Sequence, residues 1–342
     1  MRPTKNFSAI LLAISAALVI AACGSSSSSS SSPGTLTVYS GQHEQTTAKL
    51  VKAFEMQSGI KVSVRFADEA TLGNQIAAEG SHSPADVFFT ENTPVLEALH
   101  EKGLLAPVDA STLAAVPHRY DSAAGDWLGV SARESVLVYN TSKLKADEVP
   151  NSIMELAEPK WKGKVGFAPS ETDFQPLVTS ITKFKGKTAA EKWLRGVAAN
   201  SRTYPDNETV VAQVNNGESD LGPINHYYWF RLRAELGSDG IHSALHYYAA
   251  GDPGDLLDIS GAAVVKSSSN QLEAQKFLAF LVSQAGQEAI AHSDSFEYPI
   301  RPGVAPAPGL RPFKDLHPVS LTPAELGDGS EALAMEQRLG LL

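Results

Sequence analysis

The chain has 342 residues, 43% of them hydrophobic, and a formal net charge of −10 with histidines neutral. That length is enough to bury two cores, and the acidic balance leaves no basic stripe of the kind that holds nucleic acid. Cys23 is the single cysteine, so no internal disulfide can staple the fold.

At the start, Arg2 and Lys5 precede the apolar run AILLAISAALVIAA, which ends in small residues before Cys23. A charged start followed by a short apolar core is the layout of an export signal. The core is too short, and its flanks are wrong, for a transmembrane span. The tetrapeptide IAAC at 20–23 resembles a bacterial lipobox. That resemblance implies a signal peptide over 1–22 and a lipidated Cys23 as the first mature residue. Residues 24–34, GSSSSSSSSPG, cannot bury enough apolar surface to fold. With Cys23 they read as a flexible tether with a reach of roughly 17 Å.

The folded part opens on TLTVYS (35–40), an alternating run rich in β-formers and therefore a strand. Beyond GQHE, residues Thr47, Leu50, Val51 and Phe54 fall at i, i+3, i+4 and i+7, one apolar helix face, and Gly59 stops the helix. KVSVRF (61–66) is the next strand, a helix follows over about 70–79, and ADVFF (85–89) is a third strand. WLGVSARESVLVYN (127–140) reads as one or two strands around a turn. GKVGF (163–167) and DLGPI (220–224) are short strands followed by helix signals, and SGAAVV (260–265) is another strand. One long helix is expected over about 269–290, with Ala274, Phe277, Leu278 and Leu281 on a single face. Repeated β-α-β units make this an α/β chain with a mostly parallel sheet.

Four stretches carry a resemblance across nearly all of the folded chain: LTVYSGQHEQTTAKLVKAFE, SPADVFFTEN, EPKWKGKVGF and GAAVVKSSSNQLEAQKFLAFLVSQAGQEAI. The chain resembles the solute-binding proteins of bacterial ABC importers. The resemblance implies a two-domain type II periplasmic-binding-protein fold, the Venus flytrap, with its ligand in the cleft between domains. It implies chain crossings near 128–138 and 256–262, an N-terminal lobe of 35–130 plus 262–308, and a C-terminal lobe of 138–258 plus 309–342. The partners it implies are an ABC permease and, through the lipid anchor, the outer face of the bacterial cell membrane. The protein would be a monomer.

α/β sheets bind ligands beyond the carboxyl ends of their strands. At those ends stand His43 (GQHE), Glu91 (TEN) and the pair Tyr227–Tyr228 (NHYYW). Side chains adjacent on a helix diverge by about 100°, so two neighbouring phenols rarely share one packing task. The structural reading has one tyrosine in the core and one at the surface. The chemical reading brings both to one ion. Phenolate and carboxylate suit a hard, highly charged cation, and a phenol with a pKa near 10 needs such a charge to ionise at neutral pH. Two phenolates and a carboxylate balance a 3+ ion, and a neutral histidine adds a fourth bond.

This set resembles the ferric-iron-binding branch of the family, which implies His43, Glu91, Tyr227 and Tyr228 as ligands of iron(III), the transported solute. The resemblance also implies a synergistic anion or water held by polar groups at Asn92, Asn207, Asn225 and Arg301. Here the turn after KWKGK departs from the family's small neutral residues and reads Ser170-Glu171-Thr172-Asp173. Two carboxylates beside a bound phosphate repel it. The expectation is a different anion, water, or Glu171 or Asp173 serving in its place; the structural alternative is that both carboxylates face solvent. His226 is expected in packing or at the surface, with a role behind the ligands as the sharper option. Tyr39 is expected in the core or cleft wall, with a ligand role in reserve, and the seven remaining histidines at the surface.

No zinc-protease helix, P-loop or nucleophile–histidine motif is present, so the chain reads as a receptor and not an enzyme. The alternative receptor reading is a small organic solute such as a polyamine, thiamine or a phosphonate, with the tyrosines as an aromatic wall. A surface-adhesive protein is the remaining class.

Overall fold

The computed structural model describes residues 34–342. The export signal, Cys23 and the tether up to residue 33 lie outside the described residues. Strand and helix alternate from the first residues onward: β1 (Leu36–Ser40), α1 (Glu44–Ser58), β2 (Val62–Phe66), α2 (Glu69–Glu79), β3 (Val87–Thr90) and α3 (Pro94–Glu101). β1 pairs in parallel with β2 on one side and β3 on the other. On α1, Thr47, Leu50, Val51 and Phe54 are all buried, and Gly59 ends the helix in the left-handed region at φ 72°. Fully burying a side chain such as Leu50 or Phe54 stabilises the fold by about 1.5–3 kcal/mol, which is why the periodic face dictates the helix.

β4 (Leu105–Ala106), α4 (Ala110–Leu113) and β5 (Leu128–Asn140) follow. The stretch expected as one or two strands is a single 13-residue strand, β5, buried along its length. Its first half pairs antiparallel with β10 (Leu257–Val265), and its second half with β8 (Leu221–Asn225). β5 thereby carries the sheet from one half of the molecule to the other. Between these strands come β6 (Val165–Phe167), α5 (Phe174–Lys185), α6 (Lys187–Asn200), β7 (Ser201–Thr203), α7 (Asn207–Asn215), α8 (His226–Leu236) and β9 (Ser243–His246). The strand order is β2-β1-β3-β10-β5-β8-β6-β7, with β4 against β10 and β9 against β5.

Beyond β10 the expected single helix is two, α9 (Gln271–Leu281) and α10 (Gln284–Ala291). Ser283 breaks it: its hydroxyl accepts from the Gly286 amide at 3.1 Å and so caps a new helix. The face expected from Ala274, Phe277, Leu278 and Leu281 is buried. β11 (Tyr298–Pro299) adds to β5, and α11 (Pro323–Leu326) and α12 (Ser330–Arg338) close the chain. One core gathers β1, β3, β10 and the front of β5 under α1, α9 and α10. A second gathers the far end of β5, β6 and helices α5 and α6, with Met335 of α12.

Candidate metal centre

Three strand ends build the site. After β1, residues 41–43 turn into α1, with His43 at its N-cap position. Gly41 is required there, because a Cβ would lie 2.4 Å from the Cβ of Glu69. After β3, Glu91 and Asn92 lead into α3, and Thr90 Oγ1 donates to Asn92 O at 2.7 Å to hold the turn. After β8, Asn225 is the N-cap of α8, which puts Tyr227 and Tyr228 in its first turn.

The four side chains converge. The Tyr227 hydroxyl donates to Glu91 Oε1 at 2.8 Å. His43 Nδ1 stands 3.7 Å from the same oxygen, and its ring meets Tyr227 edge-on, with centroids 5.0 Å apart. Tyr228 lies against Tyr227 at 4.1 Å between centroids, tilted by 31°. Both tyrosines are buried. His43 and Glu91 form part of the wall of an open cavity of about 480 Å³, shared with Gln42, Glu44, Asp68 and Glu171.

Burial, followed by the charges of nearby carboxylates, holds both phenols well above their ordinary pKa. Burial also pushes the Glu91 carboxyl up, but His43, the Arg133 guanidinium and the Tyr227 hydroxyl outweigh it and bring it below its ordinary value. The cluster thus brings together one carboxylate held below its ordinary pKa, one imidazole and two phenols held above theirs. Among the described residues no group of three His, Cys, Asp or Glu is placed to hold a metal. A metal here would depend on the tyrosines.

The expected anion-site residues divide. Asp173 is buried and takes the Asn207 amide at 3.0 and 3.1 Å and the Asn225 amide at 2.9 Å. Burial and the charges of Glu171 and Glu91 push its carboxyl well up. Facing solvent, the structural alternative for this carboxylate, is thus ruled out. Glu171 borders the open cavity, and burial with Glu208 and Glu91 brings it to about 7. Asn92 donates through its amide to Glu69 Oε1 at 3.0 Å and Thr172 Oγ1 at 3.2 Å. Arg301 is not brought to the cluster: its guanidinium donates to Val282 O at 2.7 Å. Tyr39 turns to Gln75 and Glu79 on α2.

His226 is fully buried, which excludes the solvent-facing option. Its Nδ1 accepts from the Glu134 amide at 3.1 Å, so Nε2 carries the hydrogen and donates to Phe296 O at 2.9 Å. Burial lowers its pKa to about 4. A neutral His226 thus pins the first turn of α8 to β5. None of the other seven histidines is buried.

Three residues around the site are absent from the sequence reading. Arg133, fully buried on β5, donates to Glu91 O and, at 2.5 Å, to Asn92 Oδ1. Glu69 accepts from the Glu91 and Asn92 amides at 2.8 and 2.9 Å. Burial and Glu91 push its carboxyl up to about 7 against the pull of those N–H groups. Glu297, also fully buried, accepts from Ser131 Oγ and from Gln42 Nε2 at 3.4 Å, while its free Oε1 stands 3.7 Å from His43 Nδ1. The adjacent charges Arg133-Glu134, the only charged residues of a fully buried strand, are the legible signal for the first.

A sheet handed from one half to the other by β5 and β10, with polar strand-end loops converging between the halves, defines a Venus-flytrap solute receptor. Residues 49–314 match the family described as bacterial extracellular solute-binding protein, and the chain belongs to that family. It is 39% identical to the Fe(3+)-binding periplasmic protein of Serratia marcescens, over 90% of each chain. It is 38% identical to the major ferric iron-binding protein of Neisseria meningitidis, over 90% of this chain and 93% of the relative. The crystal structure of iron-bound HitA from Pseudomonas aeruginosa superposes with a TM-score of 0.87 at 44% identity, covering 90% of this chain and all of the other. The family places the chain outside the cytoplasm.

Proposed function

We propose that the protein captures iron(III) in this cleft, through His43, Glu91, Tyr227 and Tyr228, and delivers it to an ABC permease. The observation that carries the reading is the bond from the Tyr227 hydroxyl to Glu91 Oε1, with His43 and Tyr228 packed around it. It brings donors suited to a trivalent ion from different strand ends to one point. The names of the Serratia, Neisseria and Pseudomonas relatives support the same cargo. The lobes are 35–130 plus 262–308 and 138–258 plus 309–342, hinged on β5 and β10. Lipidation of Cys23 would tether the receptor to the outer face of the cell membrane.

In this reading the Asp173 carboxyl takes the place of a separate anion. It occupies the Asn207 and Asn225 amides that would otherwise be open to a small anion. Acid promotes release, because protons compete for phenolate, carboxylate and imidazole together.

The test is an optical titration of residues 35–342 with ferric citrate, beside Tyr227→Phe and Tyr228→Phe. A visible phenolate-to-iron band that saturates near one iron per protein and weakens in both variants supports the reading. No band in the unaltered protein overturns it in favour of an organic solute.

A further inference from the structure

Glu91 is the one expected ligand held at both of its backbone polar groups by charged side chains. Its N–H donates to Glu69 Oε2 at 2.8 Å, and its carbonyl accepts from the buried guanidinium of Arg133. The next amide, Asn92 N, donates to the same Glu69 oxygen at 2.9 Å, and the Asn92 side chain donates to the other at 3.0 Å. Consecutive N–H groups turned on one acceptor form a concave nest suited to an anion. Here the chain fills that nest itself.

Glu69 can reach it for a reason visible in the fold. It is the first residue of α2, with Asp68 capping the helix through Thr71 N at 3.0 Å. Its Cβ lies where a side chain on residue 41 would go, 2.4 Å from the position of a Gly41 Cβ. Glu69 is therefore wedged between the loop that carries His43 and the loop that carries Glu91, and it is 5% exposed. With both polar groups of its backbone engaged, Glu91 keeps freedom only in its side chain, the part that meets Tyr227.

We propose that Glu69 is a positioning residue for iron capture: its carboxylate fixes the 91–92 turn so that the Glu91 side chain is aimed at the metal before the metal arrives. This rests on the reading of Glu91 as a ligand. Groups behind a metal ligand typically change affinity 10- to 100-fold when altered, and an amide cannot accept from all three donors that this carboxylate serves. Glu69→Gln can keep its oxygen on the two backbone amides only by turning its NH2 against the Asn92 side-chain NH2, so the three bonds cannot all be kept.

The experiment measures iron affinity by chelator competition for the unaltered protein, Glu69→Gln, Glu91→Gln and the double variant, with the visible band recorded for each. Glu69→Gln is expected to weaken binding 10- to 100-fold while the band persists, because the phenols are untouched. The double variant is expected to bind no more weakly than Glu91→Gln alone, since Glu69 acts through Glu91. Losses that multiply, or an unchanged affinity in Glu69→Gln beside a weakened Glu91→Gln, overturn the positioning role and leave the ligand assignment standing. An unchanged affinity in Glu91→Gln removes the ligand assignment and the positioning role with it. Should Glu69→Gln fail to fold, Glu69→Asp, which keeps the charge but is one methylene short, carries the same comparison.

Discussion

The Tyr227 hydroxyl donates a 2.8 Å hydrogen bond to Glu91 Oε1 across 136 residues of sequence. It joins the first turn of α8 to the end of β3, two elements with no strand pairing between them. The donor proton sits between two groups proposed to face one ion. Iron cannot bind both oxygens while that proton stays.

Loading must therefore expel protons. Both phenols are held well above their ordinary pKa by burial, so each arrives at neutral pH protonated. Ligand deprotonation is coupled to metal binding, and roughly two protons should be released per iron at pH 7. Calorimetric titration in buffers of different ionisation enthalpy measures that number. A value near zero would mean that the tyrosines do not ionise, and the phenolate centre would be wrong.

The same bond predicts an asymmetry in the unloaded protein. Tyr227 makes a hydrogen bond, whereas Tyr228 shows none among the described residues. An intramolecular hydrogen bond contributes about 0.5–1.5 kcal/mol net. Tyr227→Phe should lower unfolding stability by about 1 kcal/mol, while Tyr228→Phe should stay within roughly 0.5 kcal/mol. Denaturant melts of the two iron-free variants decide it, and equal effects would mean that the bond contributes nothing.

What could be read from the sequence follows the reach of local pattern. A strand's last residue is fixed within a position or two by alternation and the next helix signal, so the position of His43, Glu91, Tyr227 and Tyr228 at strand ends was legible in the sequence. Glu69 was not, because its role depends on β1 and α2 approaching closely enough to demand glycine at 41. That is a tertiary distance, and no period encodes it. The helix break at Ser283 is a local capping event that the continuous apolar face concealed. Only the family resemblance points to Arg301, and its guanidinium is used on Val282 O.

On α12, Glu336 is buried with both carboxylate oxygens unpartnered. Burial raises its pKa from 4.5 to about 8. The folded-state value lies above the unfolded one, so its contribution is fully present below pH 4.5 and is lost as pH rises toward 8. Glu336→Gln should stabilise the protein by about 1–3 kcal/mol at pH 8 and make little difference at pH 4.5. Thermal melts at the two pH values check it; a gain that does not depend on pH would show that Glu336 is not the titrating group.

Asp173 yields the sharpest test of how the cleft handles anions. Its carboxylate engages the side-chain amides of Asn207 and Asn225 at 2.9–3.1 Å. Two amides turned on one point are a seat for a small anion, and a carboxyl that already fills the seat leaves those donors closed to a second acceptor. Iron affinity of the unaltered protein should therefore be indifferent to added phosphate. Asp173→Ala vacates the seat and frees both amides, so phosphate should now strengthen iron binding and shift the visible band as it enters the coordination sphere. Competition titrations with and without phosphate give both readings. A steep phosphate dependence in the unaltered protein would show that an outside anion is admitted despite Asp173. A variant that ignores phosphate would show that the two asparagines only pack.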